Sequence, residues 1–187
     1  MILKTLMTAS LVVCAIHCWG QHRSIEGRLS SGQIDFSQDP CGNPLVESQI
    51  WFPIEGNVSK VMSGDTLLLT LSDSGTPLKV RIAGISVASR EPFVQEAKAN
   101  VERMALQKSM KVLVNPSSWI ILDERPHEVS GVVYVKGEKE VDLGLALIQQ
   151  GHVRFNPPPP HTMSDYQACQ YRRAEEGAWA KKLGLWH

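Results

Sequence analysis

The chain has 187 residues, 43% of them hydrophobic, with 19 Lys and Arg against 19 Asp and Glu. It is long enough for one domain with a tail and apolar enough to bury a core, which excludes a disordered polymer. A formal charge of zero excludes coating of nucleic acid by bulk charge, and no apolar run reaches the length of about 18 residues that a membrane span needs. Residues 1–20 read as a secretory signal peptide. Lys4 is the one charge before Arg23, Leu6 to Ile16 is apolar, and the small residues Cys18 and Gly20 precede a cut before Gln21. The alternative is a short N-terminal anchor or a buried segment. A cleaved leader makes the protein secreted or periplasmic, and the loss of Lys4 takes 19 basic residues to 18. It also removes Cys14 and Cys18 and leaves Cys41 and Cys169. One even pair in an oxidising compartment suggests a Cys41–Cys169 disulfide; the alternative is one free loop thiol and one buried helix thiol.

Residues 21–46 are polar and turn-rich and read as an irregular arm or linker, followed by one domain over residues 47–187. Ile50 to Phe52 and Gly56 to Val61 look extended, and Ser63-Gly64 is a turn. Thr66 to Leu71 is a second strand, and Leu78 to Ile85 is a third with Val80 and Ile82 on one face and Arg81 on the other. A helix opens at Pro92, with Val94, Ala97, Val101 and Met104 as its apolar stripe. Lys111 to Val114 and Val129 to Val135 are strands. Asp142 caps a short helix that stops at Gly151. His152 to Phe155 is extended, and Pro157 to Pro160 is a stiff connector excluded from helices and central strands. The last helix opens at Ser164, with Gln167 completing a capping-box pattern, and ends near Lys181, Lys182 and Gly184. Five strands with a helix between the third and fourth have the connectivity of an OB-type barrel, so the fold class is α+β: a five-stranded barrel with three helices.

Five landmarks then occur in order between Gly56 and His187. They are Ser63-Gly64-Asp65-Thr66-Leu67, Val80-Arg81-Ile82-Ala83-Gly84-Ile85, Glu91-Pro92-Phe93-Val94-Gln95-Glu96-Ala97, Leu147-Ile148-Gln149-Gln150-Gly151 and the closing Gly184-Leu185-Trp186. Together they resemble the staphylococcal nuclease (thermonuclease-like) family. The resemblance implies the same OB barrel and phosphodiester cleavage with one Ca²⁺. It assigns Asp65 to the metal and Arg81 to the phosphate. The positions of the second metal acid and of the general base hold Ser86 and Ser89, and Ser63 stands at the first acid of the turn. The family's second arginine is missing before the fifth strand, where either Glu128 or Ser130 takes its place, with Arg125 nearby. Glu91 is the one displaced candidate base, and it also reads as the cap of the helix that Pro92 opens.

A neutral hydroxyl is a weak Ca²⁺ ligand and a poor base at neutral pH. The primary reading is therefore a secreted thermonuclease-like domain that is catalytically weak or inactive and binds nucleic acid or a protein partner through the old cleft. One alternative is an active Ca²⁺-dependent nuclease using Asp65, Arg81 and Glu91. The other is an interaction module with no nucleic-acid role. Each residue also has a plainer reading. Asp65 suits a turn, and Arg81 suits a solvated strand face. His127, His152 and His161 lack metal-ligand spacing. Lys108, Lys111, Arg172, Arg173, Lys181 and Lys182 read as solvated faces rather than a basic patch. Trp51, Trp119, Trp179 and Trp186 read as packing residues rather than stacking platforms.

Overall fold

A computed structural model describes residues 39–43, 50–115 and 128–187, all within the compact unit Phe36–His187. The leader at residues 1–20, Trp119, Arg125 and His127 lie outside the described residues.

Five strands form the barrel: β1 (Phe52–Ser63), β2 (Thr66–Leu71), β3 (Pro77–Ile82), β5 (Ser109–Val114) and β6 (Glu128–Val135). β1, β2 and β3 are an antiparallel meander, β5 pairs with both β1 and β6, and a parallel β3–β6 ladder closes the ring. β1 is one continuous strand of 12 residues rather than two segments. Its first half pairs with β5 and its second with β2, and register shifts at Val58/Lys60 and Val61/Ser63 let it bend between them. Two glycines permit close strand contact. A Cβ on Gly56 would lie 2.6 Å from the Thr70 carbonyl oxygen, and one on Gly131 2.5 Å from that of Leu113.

The third strand is shorter than its alternation suggested. It ends at Ile82 because Gly84 takes φ +75°, a conformation few L-residues adopt. Ile85–Ser86 then forms β4, which leaves the barrel to pair with β8 (Arg154–Phe155). β7 (Val141–Asp142) is a short strand on the edge of β6.

Inward residues of every barrel strand, among them Leu67, Leu69, Val80, Ile82, Val112 and Val132, are fully or almost fully buried. Each such side chain contributes about 1.5–3 kcal/mol on leaving water. Helix α1 (Phe93–Ala105) lays Ala97, Val101 and Ala105 on this core, and α2 (Leu143–Gln149) adds Leu143, Leu147 and Ile148. Helix α3 (Asp165–Ala180) begins with the expected capping box, the Ser164 hydroxyl accepting from the Gln167 N–H at 3.1 Å. Its buried stripe is Tyr171 and Ala178. The Tyr171 hydroxyl donates to Asp142 Oδ1 at 2.6 Å, the same oxygen that caps α2 through Leu145 N–H at 2.9 Å. A short 3-10 turn (Gly184–Trp186) closes the chain against Gly151, whose carbonyl accepts from Leu185 N–H.

Cys41 and Cys169 form a disulfide, with Cα atoms 5.5 Å apart. Asp39 adds a polar clasp on the same helix: its Oδ2 accepts from the Tyr166 hydroxyl at 2.8 Å and its Oδ1 from the Cys41 N–H at 2.9 Å. These two bonds hold the Asp39 carboxyl below the usual carboxylate range.

Candidate functional site

The site lies where the β1–β2 turn, the outer face of β3 and the segment after β4 meet. Gly64 makes that meeting possible. A Cβ there would lie 2.7 Å from Ala97 Cβ on α1 and 2.9 Å from Val87 Cγ2. The turn therefore sits directly on α1 and on the residue after Ser86. The Asp65 carbonyl accepts from Ile82 N–H at 2.8 Å, and Thr66 pairs with Arg81 across β2 and β3. Asp65 and Arg81 are thus brought side by side at the ends of paired strands.

The Asp65 carboxylate is already occupied by its own turn. Its Oδ1 accepts from the Ser63 hydroxyl at 2.6 Å and the Thr66 hydroxyl at 2.8 Å. Ser63 has turned from a potential acid position into a donor that pins the neighbouring acid.

Arg81 points outward between buried Val80 and Ile82, with its side chain 58% exposed. The parallel ladder puts Ser130 beside Arg81 and Glu128 beside Lys79. Glu128 then bridges the two cations. Its Oε2 is 2.7 Å from Lys79 Nζ and its Oε1 is 3.6 Å from Arg81 Nε. Both candidates for the missing arginine's position thus lie beside β3: the small hydroxyl of Ser130 adjoins Arg81, and the carboxylate of Glu128 adjoins Lys79.

Ser86 is half-buried in β4, opposite Arg154 of β8. Ser89 is exposed. Glu91 is exposed at the head of α1, where it accepts from Gln95 Nε2 at 3.2 Å. No hydrogen bond or ion pair among the described residues joins Glu91 to Asp65 or Arg81. Nor does Glu91 cap α1: the capping residue is Pro92, with no side-chain cap bond. A proline φ suits a helix start without one.

A model of the family described as staphylococcal nuclease homologue matches residues 71–187. The chain belongs to that family. No curated protein matches it closely enough to count as a relative. The nuclease family is Ca²⁺-dependent, so the donor set here can be tested against that ion. Ca²⁺ takes about six to eight hard oxygens, several from carboxylates. The turn offers one carboxylate, Asp65, with one oxygen committed to two hydroxyls, and Ser86 supplies a neutral oxygen in place of the second acid. Among the described residues no group of three His, Cys, Asp or Glu side chains is placed to hold a metal. The described residues do not fit the ion.

The other expected positions are scattered. His161 is exposed, and half-buried His152 is held below the usual imidazole range by burial and then by the Arg103 charge. Lys111 pairs with Glu140 and lies over the Tyr134 ring, away from the site. Half-buried Tyr134 is pushed up to about 12 by burial and then by the Asp142 charge, against the bond from Gln167, which pulls it down. Trp51 and Trp186 are half-buried, whereas Trp179 is 65% exposed and lies outside the buried core. Trp186 carries the Arg154 guanidinium 5.0 Å above its ring. Sequence reasoning missed the Lys79–Glu128–Arg81 bridge. Its partners are 49 residues apart, and only the parallel closure of the barrel joins them.

Proposed function

We propose that this is a secreted, non-cleaving member of the nuclease family whose old cleft serves as a binding face for a protein partner. The observation that carries the reading is Glu128. With Lys79 and Arg81 on the outer face of β3 and Asp65 in the adjoining turn, it makes two cations and two carboxylates, formally neutral. A phosphodiester cleft needs the opposite, an excess of fixed positive charge where the transition state gathers negative charge. Loss of a general base costs roughly 10²–10⁴-fold. Loss of a charge-stabilising arginine costs roughly 10³–10⁵-fold in phosphoryl transfer. The two are not additive, yet either alone takes the rate far below that of a working nuclease. The leader-like residues 1–20 and the Cys41–Cys169 pair support export to an oxidising compartment.

A second reading, a Ca²⁺-dependent nuclease, draws on the retained adjacency of Asp65 and Arg81. Salt-titrated binding of fluorescent single-stranded DNA and RNA tests the proposal. Only weak binding is expected, lost by physiological salt and little changed by Arg81→Ala. Tight binding that Arg81→Ala abolishes would make nucleic acid the partner. Cleavage in Ca²⁺ that stops with chelator and with Asp65→Ala would establish the second reading.

A further inference from the structure

Residues 157–160 are all proline, so each of residues 156–159 precedes a proline. The ring fixes a proline's φ near about −65°, and a following proline drives the residue before it to ψ of about +120 to +160°. Both constraints together dictate polyproline II geometry for Pro157–Pro159. The Pro159 carbonyl then accepts from Thr162 N–H at 3.2 Å, and His161 takes φ +66°. A turn with proline second and a positive φ third is of type II, whose second residue has polyproline-like dihedrals of about −60° and +120°. Pro160 therefore continues the run and His161 ends it.

Both ends are anchored. Asn156 N–H donates to the Gly84 carbonyl at 3.0 Å, and Phe155 N–H to Glu175 Oε1 at 3.0 Å. Beyond the turn, Met163 is buried against Gly84 and Ser164 opens α3. Pro157, Pro159 and Pro160 are exposed. With no N–H groups the segment cannot add a strand, and its conformation is set before any partner arrives, which lowers the ordering cost of binding.

We propose that Pro157–Pro160, flanked by Arg154, is a docking ligand for a protein domain whose groove is lined with aromatic side chains and bordered by acidic residues. Pro157 and Pro160 lie one turn of this three-residue helix apart and present their rings on one edge. Arg154, three residues earlier, is exposed; its guanidinium stacks on the Trp186 ring but is engaged in no ion pair among the described residues, so it supplies a cation at one end of the ligand. A groove that requires an aromatic residue just before the prolines is not matched, because Phe155 is half-buried edge-on against Tyr171, with ring centroids 6.2 Å apart. The inference rests on this loop alone and stands whether or not the cleft cleaves.

The test titrates the full chain into isotope-labelled SH3 and WW domains and follows their groove resonances by NMR. Saturable shifts in the aromatic groove of an SH3 domain with an acidic border are expected. Pro157→Ala with Pro160→Ala should weaken binding by about tenfold or more, and Arg154→Glu should do the same by charge reversal without touching the loop backbone. Pro158→Ala, on the other edge, should matter least. No groove shifts from either domain at millimolar chain, or undiminished binding by both variants with unchanged melts, overturns the proposal.

Discussion

Replacing Tyr171 with Phe removes one hydroxyl from the joint between α2 and α3. Tyr171 has 0% exposure, and its hydroxyl donates to a carboxylate that also caps α2. Burial holds the Asp142 carboxyl above the usual carboxylate range, and bonds from Leu145, Tyr171 and Gly144 pull it partly back. Tyr171 is itself raised well above the phenol range by burial, so it remains a donor at neutral pH. Without that donor, Asp142 rises further. A folded value above the unfolded one gives stability that is complete below the ordinary 3.8 and is lost as pH rises through the folded value. The variant must therefore lose more at neutral pH than in acid. A hydrogen bond to a charged group is worth about 1.5–3 kcal/mol and one to a neutral group about 1 kcal/mol. Urea denaturation should thus show a loss of about 2 kcal/mol at neutral pH, shrinking toward about 1 kcal/mol once Asp142 is protonated. An equal loss at both pH values, or a larger one in acid, would refute the reasoning.

Exchanging both Cys41 and Cys169 for Ala opens a link spanning 128 residues, and chemical denaturation should show a loss approaching ~5 kcal/mol in the chain-entropy picture; an unchanged midpoint would contradict it. His152, depressed below 6.5 by burial and Arg103, gives stability that is present above 6.5 and lost as pH falls through its folded value. Melting points taken on either side of 6.5 should therefore fall further for the wild type than for His152→Gln. Trp179→Ala should move stability by no more than about 0.5 kcal/mol, as expected of an exposed site, and a larger drop in the melt would show that the indole packs.

Local chemistry made much of this fold legible in the sequence. Alternation marked the meander, Asp142 and Ser164 announced their helices by cap type, and the spacing of Ala97 and Val101 oriented α1. What the sequence did not reveal depends on long-range register or on small angular differences. Trp179 follows Ala178, which is 1% exposed, and one residue turns a helix by about 100°, enough to carry the indole into solvent. The Ile82–Ile85 run reads as one strand until the positive φ of Gly84 breaks it. At the site, the substitutions at Ser86 and Ser89 were visible as residue types. The pinning of Asp65 by Ser63, and of Arg81 by Glu128, needed the turn and the closed barrel.

The most direct measurement compares Ca²⁺-stimulated degradation of single-stranded DNA by the wild type with that by a variant carrying Ser86→Asp, Ser89→Glu and Glu128→Arg. The account predicts no chelator-sensitive cleavage by the wild type and a measurable gain in the variant, whose changes put an acid, a base and a second cation at positions where the family resemblance expects them. Chelator-sensitive cleavage by the wild type that Asp65→Ala abolishes would contradict it.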